Sequence, residues 1–328
     1  MKKLLLALII ASPAAADDKL EVVATIPSLG SVAREVGGDR VSVSSLARPG
    51  EDPHFVDARQ SLMVKMRGAD LFIVNGLELE IGWVPLLLEG CRNGKIQPGS
   101  AGYLDASASV RVIDVPKGPI DRSMGDVHPM GNPHYSLDPL ALRGVAGGIA
   151  EKLSALDPKG KETYEKNRKS YERKIDEALF GVELVDEAGG AKLAQVAADG
   201  KLDEFLAEQK LAGKVGGWLK DLADAKGKEV IAYHASMNYF WNRFGMKLAG
   251  TIEAKPGISP SSGQVNSIIE LARARKIRAV VTQPFFSDSA PNLIAEKSGA
   301  KVVKVDIEGD DAIAIIDHVV KEVAGALK

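Results

Sequence analysis

Three histidines in this chain follow strand-like runs or turn signals. His54 ends Gly50-Glu51-Asp52-Pro53-His54, His134 ends Gly131-Asn132-Pro133-His134, and His234 ends Val230-Ile231-Ala232-Tyr233-His234. Asp306 closes another apolar run, Lys301-Val302-Val303-Lys304-Val305-Asp306. Proteins of the α/β class place functional side chains at the carboxyl ends of their strands. Neutral imidazoles joined by one carboxylate form a nitrogen and oxygen set suited to a tetrahedral zinc ion. Each residue also has a plainer reading. His54 and His134 each follow a proline and would serve as exposed turn residues; His234 follows apolar and aromatic residues and would serve as a hydrogen-bonded core histidine. Asp306, before Ile307-Glu308-Gly309-Asp310, would serve as an ordinary acid flanking a helix. The remaining histidines differ: His318 lies within an apolar closing helix and reads as structural, whereas His128 sits in the loop before His134 and is a candidate accessory metal donor.

These residues need a scaffold that brings distant segments together, and the pattern supplies one. Short β-branched runs at 21–25, 41–46 and 70–74 alternate with helical patterns at 28–37 and 58–67, with Ser28 as the expected cap of the first helix. A helix is expected over 137–156, closed by Asp157-Pro158. The following segment, 159–179, is rich in Lys, Glu and Arg and predicts a long, largely solvated helix of roughly 30 Å at 1.5 Å per residue. The stretch 181–228 is helical and carries no motif. Strands at 229–233, 247–252, 278–282 and 301–305 then alternate with helices at 262–276 and 311–327. Alternation on both sides of a helical middle predicts the α/β class: two α/β lobes with parallel sheets joined by a long rigid linking helix. The expected boundaries are 17–150 for the first lobe, 151–182 for the link and 183–328 for the second lobe.

The first residues read as an export signal over 1–16. Lys2 and Lys3 precede an apolar stretch from Leu4 to Ala11, and Ala14-Ala15-Ala16 offers a cleavage site. No cysteine follows that site, so the expectation is a periplasmic chain without a lipid anchor. A net charge of −2 gives no reason to expect nucleic acid as a partner. The single cysteine, Cys91, excludes an intramolecular disulfide and reads as a small buried apolar residue.

At the candidate ligands the sequence resembles the zinc and manganese solute-binding proteins of ABC importers. The similar text runs through Val22-Val23-Ala24-Thr25-Ile26-Pro27, Pro49-Gly50-Glu51-Asp52-Pro53-His54 and Ala69-Asp70-Leu71-Phe72-Ile73-Val74-Asn75-Gly76. It continues in Asn132-Pro133-His134-Tyr135-Ser136-Leu137-Asp138-Pro139, Tyr233-His234 and Gly257-Ile258-Ser259-Pro260-Ser261. The resemblance implies metal held between two lobes by His54, His134, His234 and Asp306, in a protein that is not an enzyme and passes its cargo to an ABC permease. A histidine at 234, where manganese relatives more often carry an acid, favours Zn2+ as the transported ion. A monomer, and local ordering of the His128 loop rather than wide lobe closure, are further expectations. The segment 115–132 is short and holds one histidine, unlike the His-rich loop of many zinc relatives. Gln283 stands where relatives often have an acid before Pro284. The alternatives are a manganese-type carrier and a zinc hydrolase; the latter would need an open coordination position and a general base.

Overall fold

The computed structural model describes residues 19–118, 125, 127–255 and 257–328. The expected export signal, 1–16, lies outside them, as does part of the loop that carries His128.

In chain order the first lobe comprises β1 (Leu20–Ala24), α1 (Pro27–Gly37), β2 (Val41–Ser45), α2 (Gln60–Arg67), β3 (Leu71–Val74), α3 (Val84–Cys91) and β4 (Tyr103–Asp105). Its four strands form one parallel sheet in the order β2-β1-β3-β4. β3 is buried throughout, as a strand covered by helices on both faces must be. Then come α4 (Pro139–Leu156) and α5 (Lys161–Phe180), followed by four short helices: α6 (Val182–Ala188), α7 (Gly190–Ala198), α8 (Leu202–Glu208) and α9 (Gly217–Asp221). The second lobe comprises β5 (Glu229–Ala232), α10 (Asn238–Arg243), β6 (Lys247–Thr251), α11 (Ser262–Arg275), β7 (Ala279–Thr282), α12 (Ser289–Ser298), β8 (Lys301–Lys304) and α13 (Ala312–Leu327). It repeats the parallel order as β6-β5-β7-β8.

Two local expectations need correction, and one strand had not been expected at all. Ser28 is not the cap of α1. Pro27, whose fixed φ suits the first helical turn, starts the helix after Ile26, and the Ser28 hydroxyl donates instead to Glu308 in the second lobe. β4 escaped the pattern because a strand of three residues shows no period. The helix α5 is less solvated than its charge suggests. Tyr164, Tyr171, Ile175 and Leu179 recur on one face and are buried, where α5 packs against α4, α1 and α9.

Parallel strands all end on the same edge of their sheet. The functional loops therefore leave the carboxyl edges of both sheets, and the two edges meet across a cleft. Several bonds hold the lobes together there. Glu308 accepts from the Ser28 amide and hydroxyl, Ala312 N–H donates to Ser31 Oγ at 3.1 Å, and Ser136 Oγ donates to the Ile307 carbonyl at 3.2 Å.

Candidate metal centre

His54 stands in the loop after β2. The Asp52 carboxylate folds back on it, accepting from the His54 amide at 3.0 Å and from ring Nδ1 at 2.8 Å. The preceding carbonyl, that of Pro53, accepts from the Trp83 indole at 2.9 Å, which fixes the loop against α3. An ionised carboxylate only accepts, so Nδ1 carries the proton and Nε2 is the nitrogen turned toward the other imidazoles. Burial alone would raise the Asp52 carboxyl, but the His54 ring and amide outweigh it and hold the group below its ordinary range.

His134 lies five residues ahead of α4. Asn75, just beyond β3, donates to the Pro133 carbonyl at 3.0 Å, and Tyr135 Oη donates back to the Asn75 carbonyl at 2.7 Å. Burial above all, and then the rings of His54, His234 and His128, push the His134 pKa well below the ordinary imidazole value. That keeps the ring neutral, the form a metal ion needs.

His234 follows β5 by two residues. Its Nδ1 donates to the buried Glu253 carboxylate at 3.0 Å, an arrangement that repeats the Asp52–His54 pair from the opposite lobe. One nitrogen from each of His54, His134 and His234 falls within 4.8 Å of the others, and the Nε2 atoms of His134 and His234 are 3.3 Å apart. Beside them lies a cavity of about 160 Å³, lined also by Phe55, Ser236, Phe285, Phe286 and Ile307. Two lobes thus aim three nitrogen donors at one point, with a carboxylate behind two of them.

Asp306 is not in this converging set. It is half-buried two residues beyond β8, and its Oδ1 lies 3.8 Å from where a β-carbon would stand at Gly50. The bonds from Ser28 to Glu308 and from Ser136 to the Ile307 carbonyl hold the segment after β8 against the first lobe and fix Asp306 at that place. His128 comes closer: its Nε2 is 3.3 Å from that of His54, and the two rings stack with centroids 5.4 Å apart. His318, on α13, takes no part in the cluster.

Sequence reasoning missed the two carboxylates behind the rings. The signal for Asp52 was present, since an Asp two residues ahead of another residue's amide is an Asx-turn pattern. Glu253 had a weaker one: it follows β6 directly after Ile252, at a strand's carboxyl end. The Gln283 side chain, set where an acid was expected, is fully buried and donates to the Met237 sulfur at 3.6 Å.

Comparison with known proteins agrees with this architecture. The chain is 25% identical over 289 residues to the zinc-binding lipoprotein AdcA of Streptococcus pneumoniae (strain ATCC BAA-255 / R6), covering 87% of this chain and 49% of that protein. It therefore spans about half the length of that relative. It is also 25% identical over 292 residues to the manganese ABC transporter substrate-binding lipoprotein PsaA of Streptococcus mitis, covering 88% of this chain and 80% of the relative. A crystal structure of ZnuA superposes with a TM-score of 0.71 over 95% of this chain and all of that one, at 20% identity, and supports the fold.

These relatives correct one expectation. Both curated proteins are named lipoproteins, which overturns the reading of an unanchored periplasmic chain. That reading rested on the absence of a cysteine behind Ala16, a fact about the first residues of this sequence alone. The profile of the family described as ZnuA, zinc-uptake complex component A periplasmic, matches residues 22–179 and 207–324, and the chain belongs to that family.

Proposed function

We propose that this protein is a zinc carrier that captures Zn2+ between its lobes and passes it to an ABC permease. The observation that carries the proposal is the convergence of His54, His134 and His234 within 4.8 Å. Their three nitrogens favour zinc over manganese, which prefers oxygen donors. The relatives support the class of cargo without deciding the ion, since one is named for zinc and one for manganese. On this reading 17–150 and 183–328 act as the two jaws, and 151–182 holds them at a fixed separation. A partner permease is supported by the name of PsaA, an ABC transporter substrate-binding protein.

The fourth donor in this proposal is Asp306, half-buried two residues beyond β8 and outside the converging set as it stands. A second reading is favoured by the His128 ring, already 3.3 Å from His54, which would complete an all-imidazole site. A zinc hydrolase fits less well: it needs a carboxylate free to take a proton from bound water, and both Asp52 and Glu253 are engaged on imidazole Nδ1.

Calorimetric titration of the metal-stripped protein with zinc and then manganese tests the proposal. Zinc should bind tightly, one ion per chain, with manganese weak, and His234→Ala should lose most of the zinc affinity. Saturable zinc binding that survives His234→Ala would sink the ligand assignment. Separate losses in Asp306→Ala and His128→Ala identify the fourth donor.

A further inference from the structure

Asn132 joins the histidine loops of the two lobes through one side chain. It is buried two residues before His134, and its Oδ1 accepts from the His134 amide at 2.9 Å. Its Nδ2 donates at 3.0 Å to the carbonyl of Ala235, the residue after His234, and at 3.1 Å to Asp114. The Asn132 backbone is tied as firmly. Its N–H donates to the Ile113 carbonyl at 2.9 Å, and its carbonyl accepts from Tyr239 Oη of α10 at 2.9 Å. Oxygen faces a donor and nitrogen faces two acceptors, so the network fixes the orientation of the amide. No carboxylate could fill both roles, and one at this position would also face Asp114.

We propose that Asn132 is a positioning residue that sets the spacing of His134 and His234 across the lobe boundary so that both rings meet one ion. The inference rests on the carrier reading above. The amide holds the backbone of each ligand loop, and the two Nε2 atoms it indirectly spaces are 3.3 Å apart.

The test compares the wild type with Asn132→Asp and Tyr239→Phe. Asn132→Asp keeps the acceptor for the His134 amide and loses the donor to Ala235. Tyr239→Phe keeps the ring and loses the hydroxyl, which donates to the Asn132 carbonyl from the second lobe and accepts from the Ile113 amide at 3.3 Å. Zinc affinity is measured by titration, and coordination geometry by the visible absorption of bound Co2+. Asn132→Asp should still bind one ion, about 10–100-fold more weakly, the range for partners that orient metal ligands. Its Co2+ bands should be altered, and Tyr239→Phe should move the same way by a smaller factor. Wild-type affinity and spectrum in Asn132→Asp would overturn the proposal. So would weakened binding with an unchanged spectrum and a matching loss of metal-free stability, which a purely structural role would give. If Asn132→Asp does not fold, Tyr239→Phe decides by the same two readouts. Failure of the wild type itself to bind zinc would instead reject the carrier reading.

Discussion

Asp52 and Glu253 decide which nitrogen of His54 and His234 can face an ion. Each carboxylate accepts a hydrogen bond from Nδ1–H at 2.8–3.0 Å, and each ring then presents Nε2 to the cleft. Without such a partner an imidazole can change tautomer and rotate, and the ion must bear the cost of ordering it. Glu253→Ala is therefore expected to weaken zinc binding about 10–100-fold while leaving one ion per chain. A competition titration against a chelator of known affinity reads this directly. Undiminished binding would mean that the walls of the cavity alone hold the His234 ring.

The strands and helices place these rings through their ends rather than their middles. β2, β5 and β8 release their chains toward the cleft, and α4 begins at Pro139, five residues past His134, with Asp138 as its cap. Asp138 accepts from the Leu140 amide at 3.1 Å and from the Arg243 guanidinium at 2.8 and 3.0 Å, so the cap also ties α4 to α10. The helix α5 lies between the lobes with a buried face that carries a flaw. Tyr171 is 1% exposed, and its hydroxyl has no hydrogen-bond partner among the described residues. Burying a hydroxyl without a partner costs free energy, so Tyr171→Phe should raise stability by about 1 kcal/mol. Urea unfolding of the metal-free protein checks this. A loss of stability would show that a trapped water serves that hydroxyl.

At the scale of the molecule, buried carboxyls hold the loop edges and make stability depend on pH. Glu80 accepts from Thr25 Oγ1 and from the Asn75 amide, both at 2.6 Å, binding the ends of β1 and β3 together. Burial raises its pKa from 4.5 to about 7, against those hydrogen bonds. The unfolded chain gives up this proton above 4.5, while the folded chain keeps it until about 7. The contribution of Glu80 to stability is thus complete below 4.5 and is lost as pH rises to about 7. Glu80→Gln cannot titrate, so the stability advantage of the wild type over this variant should shrink across that window. Thermal unfolding of both metal-free proteins at several pH values measures it, and a constant difference would reject the assignment.

The two parallel lobes and the three candidate histidines after strand or turn signals were legible in the sequence, because each depends on residues close together in the chain. Periodicity marks a strand or helix within a few residues, and a histidine after a strand or turn signal announces itself locally. The same local reading misjudged α5, whose many charges hid the apolar stripe from Tyr164 to Leu179, and it made Ser28 a cap. Tertiary structure alone decided what depends on distances between remote segments: the carboxylates behind His54 and His234, the Asn132 tie between the lobes, and the binding of Ser28 to Glu308. It also set Asp306 beside Gly50 and His128 beside His54. Whether a residue is a ligand or a neighbour is a matter of distances across the fold, and chain spacing carries no such measure.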